Sequence, residues 1–189
     1  GCNAVKFQSF NESIVKEHPD KELLLKTSIS KDNIDEIDGI AKKAGIEWFS
    51  TPMYPEAVTL LNPYVSKYKI RNFDGEQLVK NHTSEIIKKV LDTGKEIIIS
   101  SHIDPSSCKI YNNEKISWLY VVPKYPCSLF ELDFSKLCKY QGYSNHCPEI
   151  IAPLTAAILG SKIIEVHLTS NKNKNYVDNA VSFDYKELE

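Results

Sequence analysis

A chain of 189 residues, 42% apolar and 25% charged, has the makeup of one globular domain with a sizeable core. A net charge of −2 excludes the general basic field that grips nucleic acid or an anionic membrane, and no apolar run approaches a membrane span. Five cysteines, odd in number and with no C-x-x-C pair, favour reduced thiols in a cytoplasmic protein over a disulfide framework or a zinc ribbon; no signal peptide is visible at the start.

Ala4 to Ser9 reads as a strand that opens the chain with no helix before it, so residues are expected to be missing upstream. Residues 11–30 read as weak helix or loop. A helix follows, with Asp32 as its cap, with Ile34, Ile37, Ile40, Ala41 and Ala44 on one face, and with Gly45 as its stop. Strands are expected near 46–50, 67–70, 96–101, 117–122, 141–144 and 163–168. Between them lie a short helix from Pro55 to Leu61, a polar turn at 71–75, a helix from Thr83 to Leu91, one or two helical turns at 134–139 and a helix from Pro148 to Leu159. The order helix, glycine, strand recurs at Gly45, Gly94 and Gly160. That rhythm predicts a single α/β domain over 1–189: seven strands of a (β/α)8 TIM-type barrel with one strand missing, or else an open doubly wound sheet. Neither G-x-G-x-x-G nor a P-loop is present to support the second.

Chemistry in such folds sits at the C-terminal ends of the strands. Lys6, Gln8, Ser50, Thr51, Lys69, Arg71, Asp74, Ser100, Tyr125, Ser144, His146, Glu165 and His167 all fall at or just past those ends. Lysines, hydroxyls and backbone N–H groups suit a phosphate or a carboxylate. Two imidazoles beside oxygen ligands suit a divalent metal, and a nearby carboxylate suits acid/base work. The plainer reading makes His146 a loop histidine and His167 a hydrogen-bonded core histidine. It lets the lysines reach out from strand ends and the hydroxyls cap helices.

The segments Ala4-Val5-Lys6-Phe7-Gln8, Gly45 to Pro52, Tyr68-Lys69-Ile70, Gly94 to Ser100, Tyr125-Pro126, Gly142-Tyr143-Ser144-Asn145-His146 and Gly160 to His167 stand in the order of the motifs of the N-acetylneuraminate (sialic acid) synthase family, which the chain resembles over nearly its whole length. The resemblance implies a (β/α)8 barrel that condenses phosphoenolpyruvate with an N-acylated hexosamine, such as N-acetylmannosamine, to a nonulosonic acid and phosphate. It implies that His146 and His167 hold a divalent metal, typically manganese (Mn2+). It assigns Lys69, Thr51, Ser100 and Ser144 to the phosphoenolpyruvate, with Lys6 lining the same site. Gln8, Tyr125 and Asp178 go to the amino sugar, Asp74 lies among the substrate-binding residues, and Glu165 is the candidate acid/base. A homodimer is implied by analogy.

The chain departs from that family's pattern. The first strand, with its glutamate, and the small C-terminal antifreeze-like domain are absent. Asn72-Phe73-Asp74 stands for Ser-Gly-Glu, Pro123 for Asn or Ser, Asn145 for Asp, and Asn179 for His. These changes are expected to touch substrate binding more than metal binding. Two alternatives stay open: a Schiff-base aldolase with Lys69 as the amine, and an inactive barrel that binds a sugar or a partner.

Overall fold

The computed structural model describes residues 1–188. In chain order it runs β1 (Ala4–Ser9), α1 (Glu12–Val15), α2 (Lys21–Thr27), α3 (Ile34–Ala44), β2 (Glu47–Pro52), α4 (Pro55–Leu61), β3 (Lys67–Ile70), α5 (Asn72–Val79), α6 (Glu85–Asp92), β4 (Glu96–Ser101), β5 (Ile116–Tyr120), β6 (Gly142–Ser144), α7 (Ile151–Ile158), β7 (Ile163–Glu165), β8 (His167–Leu168) and β9 (Ser182–Phe183), with short 3-10 turns between. Strands β1 to β7 form a sheet in sequence order, and β8 and β9 form a separate pair. Sequence-order strands alternating with helices are the winding of a TIM-type fold, and the seven expected strands are found.

The chain divides into two compact units. The N-terminal unit comprises Cys2–Ile70 and Thr83–Ile98. Its β1 and β2 run parallel from Ala4 opposite Glu47 to Ser9 opposite Pro52, and β3 joins with Tyr68 opposite Ser50. Trp48, Tyr68, Leu61, Val58, Ile87 and Val90 fill the core, with Phe7 edge-on to Trp48 at 6.0 Å. The α3 cap falls on Asn33 rather than Asp32: the Asn33 amide donates to the Ser28 carbonyl and its oxygen accepts from Ser30 N–H, which ties the entry loop to the helix start. Within α3, Ile34 and Ala41 are buried, but Ile40 is exposed, so the apolar face is narrower than the spacing suggested. Gly45 closes the helix at φ 64°, a left-handed backbone that an L side chain rarely adopts. Residues 11–30 hold the two short helices α1 and α2.

The C-terminal unit comprises Gly1, Arg71–His82 and the chain from Ile99. Its β5, β6 and β7 are parallel, with Leu119 opposite Gly142 and Ser144 opposite Glu165. Gly142 is there because β7 comes close: a Cβ on it would lie 2.1 Å from the Ile163 carbonyl oxygen. Trp118, Tyr120, Tyr143 and Phe183 are fully buried. The expected turn at 71–75 is instead the start of α5. Asn72 accepts from His102 N–H at 2.7 Å and donates to Glu76 at 3.0 Å, which starts the helix. Gly75 serves close packing rather than a turn, since its Cβ would meet Ser100 O at 2.1 Å. The last expected strand, 163–168, is broken at Val166, so His167 pairs with Ser182 of the tail.

Candidate functional site

In the N-terminal unit, Gln8 and Thr51 are register partners on neighbouring parallel strands, and Lys6 lies opposite Phe49 one pleat earlier. Thr51 is buried, as are Ser9 and Ser50, whose hydroxyls bond each other at 3.1 Å. Lys69 is only 4% exposed, and its ammonium donates to the Ile70 carbonyl at 3.0 Å. A buried ammonium at a strand end is costly to desolvate unless partners or an anion face it. This unit therefore carries a cation, a hydroxyl and an amide on the ends of β1, β2 and β3.

In the C-terminal unit three rings meet. The Tyr125 ring lies on His146 with centroids 3.8 Å apart and planes 31° from parallel. The same ring meets His167 edge-on at 5.7 Å, and the two imidazoles are 5.7 Å apart. Sequence order delivers this: His146 follows β6, His167 follows β7, and the two strands are parallel neighbours. Glu165 sits opposite Ser144 in the same pair of strands, and the Asp178 carboxylate lies 3.6 Å from His167 Nδ1. Asp178 itself adopts φ 62°, which turns the tail at that point.

Backbone groups orient His146. Its Nδ1 donates to the Val122 carbonyl at 2.8 Å, which fixes that nitrogen as the protonated one and makes Nε2 the lone-pair nitrogen. Its own carbonyl accepts from Cys127 N–H at 3.0 Å. Val122 and Cys127 left no mark in the sequence, because any residue supplies a carbonyl or an N–H. Tyr125 as a residue is 53% exposed, yet its hydroxyl end is desolvated. That desolvation, with the Asp178 and Glu165 carboxylates adding to it, pushes the phenol well above its ordinary range and keeps it a neutral donor. Beside it Cys127 and Cys147 are buried, and burial pushes the Cys127 thiol up to about 11 and raises Cys147 as well. They are inert thiols rather than nucleophiles at neutral pH.

Ser144 and Ser100 are buried at the ends of β6 and β4. Asp74 is buried on α5 and receives a 2.6 Å bond from Arg71 Nε, a partner the sequence reading did not assign. Two departures find structural work. The Asn145 side chain is fully buried: its oxygen accepts from the Tyr143 hydroxyl at 3.0 Å and from Cys147 N–H at 3.3 Å, and its amide donates to the Cys147 carbonyl at 2.7 Å. It staples the turn that carries His146. Asn179 donates to the carbonyls of Asn171, Lys172 and Lys174 and so shapes the tail loop.

Among the described residues no group of three or more His, Cys, Asp or Glu side chains is placed to hold a metal ion. The donor chemistry of two imidazoles, one with its tautomer fixed, fits a site in which the protein gives two nitrogens and oxygens of a substrate or water complete the shell. No helix among the described residues is long and apolar enough to cross a membrane.

The chain is 29% identical to a pseudaminic acid synthase of Helicobacter pylori, over 98% of this chain and 62% of that protein. It is 28% identical to an N,N'-diacetyllegionaminic acid synthase of Campylobacter jejuni, over 78% of this chain and 48% of that protein. The chain thus spans about half to three fifths of the relatives it matches. Among solved structures, an N-acetylneuraminic acid (sialic acid) synthetase from Leptospira borgpetersenii, crystallised with citrate, superposes with a TM-score of 0.84 at 23% identity, over 99% of this chain and 70% of that one; this likeness establishes the TIM-type fold. The model of the NeuB family matches residues 1–189, and the chain belongs to that family.

Proposed function

We propose that the protein is a synthase of a sialic-type (nonulosonic) acid, condensing phosphoenolpyruvate with an N-acylated hexosamine. The observation that carries this reading is the contact of His146, His167 and Tyr125 just past two parallel strand ends, with Glu165 and Ser144 opposite each other on those strands. Membership of the NeuB family, and relatives named as pseudaminic and legionaminic acid synthases, support it.

In this reading His146 and His167 would hold a divalent metal, Mn2+ by chemical expectation. Such an ion, when bound, supplies Lewis-acid polarisation of a sugar aldehyde. Lys69, Thr51, Ser100 and Ser144, with Lys6, would take the phosphate and carboxylate of phosphoenolpyruvate; a buried ammonium and short hydroxyls suit a polyanion. Gln8, Tyr125 and Asp178 would bind the amino sugar, the neutral Tyr125 hydroxyl as a donor, and Asp74 would orient neighbouring groups through Arg71. Glu165 would move the proton as the enol carbon attacks the aldehyde carbon. Water then adds at the phosphate-bearing carbon, left electron-deficient by that attack, and phosphate leaves with its bridging oxygen, so phosphoenolpyruvate, sugar and water balance the acid and phosphate.

The test is a phosphate-release assay with phosphoenolpyruvate, Mn2+ and a panel of N-acylated hexosamines. Release that requires both sugar and metal, and is absent in His146→Ala, is the expected result. Lack of release with every sugar, from protein that still binds Mn2+, would overturn the synthase reading and leave a metal-binding barrel.

A further inference from the structure

The loop from Val122 to Cys127 wraps His146 on three sides. Val122 O accepts from the imidazole Nδ1–H at 2.8 Å, Cys127 N–H donates to the His146 carbonyl at 3.0 Å, and between them the Tyr125 ring covers the imidazole face at 3.8 Å. The loop is itself held. Lys124 N–H donates to Val122 O at 2.8 Å, which aims that carbonyl, and the Glu131 carboxylate accepts from Lys124 Nζ at 2.7 Å and from Ser128 N–H at 2.9 Å. The edge of the same Tyr125 ring contacts His167. One aromatic side chain thus touches both imidazoles and lies on a segment bonded twice to one of them.

A ring stacked this closely removes rotational freedom from the imidazole. Its electron-rich face also favours an imidazole that has given its lone pair to a cation, by the same electrostatics that draw cations to aromatic faces. We infer that Tyr125 is a positioning residue for the metal pair: its ring, rather than its hydroxyl, holds His146 and His167 in the arrangement that binds the ion. This goes beyond contact with the sugar, and it rests on the proposal that the two histidines hold a metal.

The experiment is a manganese titration of the protein without substrates, followed by the electron paramagnetic resonance signal of free Mn2+. It compares wild type with Tyr125→Phe, Tyr125→Leu, Tyr125→Ala and His146→Ala, each checked by circular dichroism. Tyr125→Ala and Tyr125→Leu should weaken Mn2+ binding by about tenfold or more, the range found when outer residues that orient metal ligands are removed. Tyr125→Phe keeps the ring and should stay within about twofold of wild type, a rescue that loss of general stability would not give. Wild-type affinity in Tyr125→Ala and Tyr125→Leu, or equal losses in Tyr125→Phe and Tyr125→Ala, would overturn the inference. The metal reading fails separately, if His146→Ala binds Mn2+ as well as wild type.

Discussion

The Nδ1 of His146 stands 2.8 Å from the carbonyl oxygen of Val122, two residues past the end of β5. Only a protonated Nδ1 can make that bond, so the backbone of the segment that follows β5 sets the tautomer of a side chain that follows β6. The amide nitrogen of asparagine occupies nearly the place of Nδ1 and offers the same donor, but asparagine has nothing at the Nε2 position. His146→Asn should therefore keep the bond to Val122 and lose the metal, whereas His146→Ala loses both. We expect His146→Asn to be the more stable of the two by about 1 kcal/mol, a net hydrogen bond. That difference should raise its melting temperature above that of His146→Ala by about 2–4 °C in a protein of this size. Equal melting temperatures would show that the Val122 bond does not hold the side chain.

Asn145, one of the departures from the resembled pattern, is used wholly inside the protein. Both ends of its amide are used inside the protein: the oxygen faces two donors and the nitrogen faces the Cys147 carbonyl. Asn145→Asp would set a carboxylate oxygen against that carbonyl in a fully buried place. The cost should be about 3 kcal/mol or more at pH 7, measured as a drop in the urea midpoint. Burial would raise the pKa of the new carboxyl in the folded state above its unfolded value. The deficit should therefore shrink as pH falls towards about 4, where a protonated carboxyl can donate to Cys147 O again. A neutral Asn145→Asp substitution would refute this account.

These cases also show what could be read from the residues. Gly45, Gly94 and Gly160 were legible as helix stops before strands, and all three adopt positive φ, because the left-handed stop is a local need that only certain residues meet. The strands around Ile97-Ile98-Ile99 and Trp48-Phe49 were legible because a buried parallel strand is a run of apolar side chains. The start of α5 was not. Asn72, Asp74 and Gly75 are turn formers by propensity, but His102 N–H, Arg71 and the close approach of Ser100 each use one of them for packing. The histidine pair followed from topology alone, whereas the Tyr125 stack and the Val122 bond depend on the path of one loop, which residue types do not encode.

Alkaline conditions should loosen both units, through groups that burial keeps neutral. Tyr68 is fully buried in the N-terminal unit, its hydroxyl donating to the Val58 carbonyl at 3.1 Å, and burial pushes its pKa up to about 12 from an ordinary 10.0. Cys127, in the C-terminal unit, is pushed up to about 11 from 9.0, mainly by burial. In each case the folded pKa exceeds the unfolded one, so the stability is fully present below the unfolded value and is lost as pH rises through the folded value. The windows are pH 9 to 11 for Cys127 and pH 10 to 12 for Tyr68. At about 1.4 kcal/mol per unit, each group can remove on the order of 2–3 kcal/mol across its window. Urea unfolding at pH 8, 9, 10 and 11 should show falling stability that begins near pH 9. Tyr68→Phe, which cannot ionise, should start lower by about 1 kcal/mol for the lost hydrogen bond but fall less steeply above pH 10. Stability that stays level to pH 11, or an unchanged slope in Tyr68→Phe, would mean that these groups meet water in the folded protein.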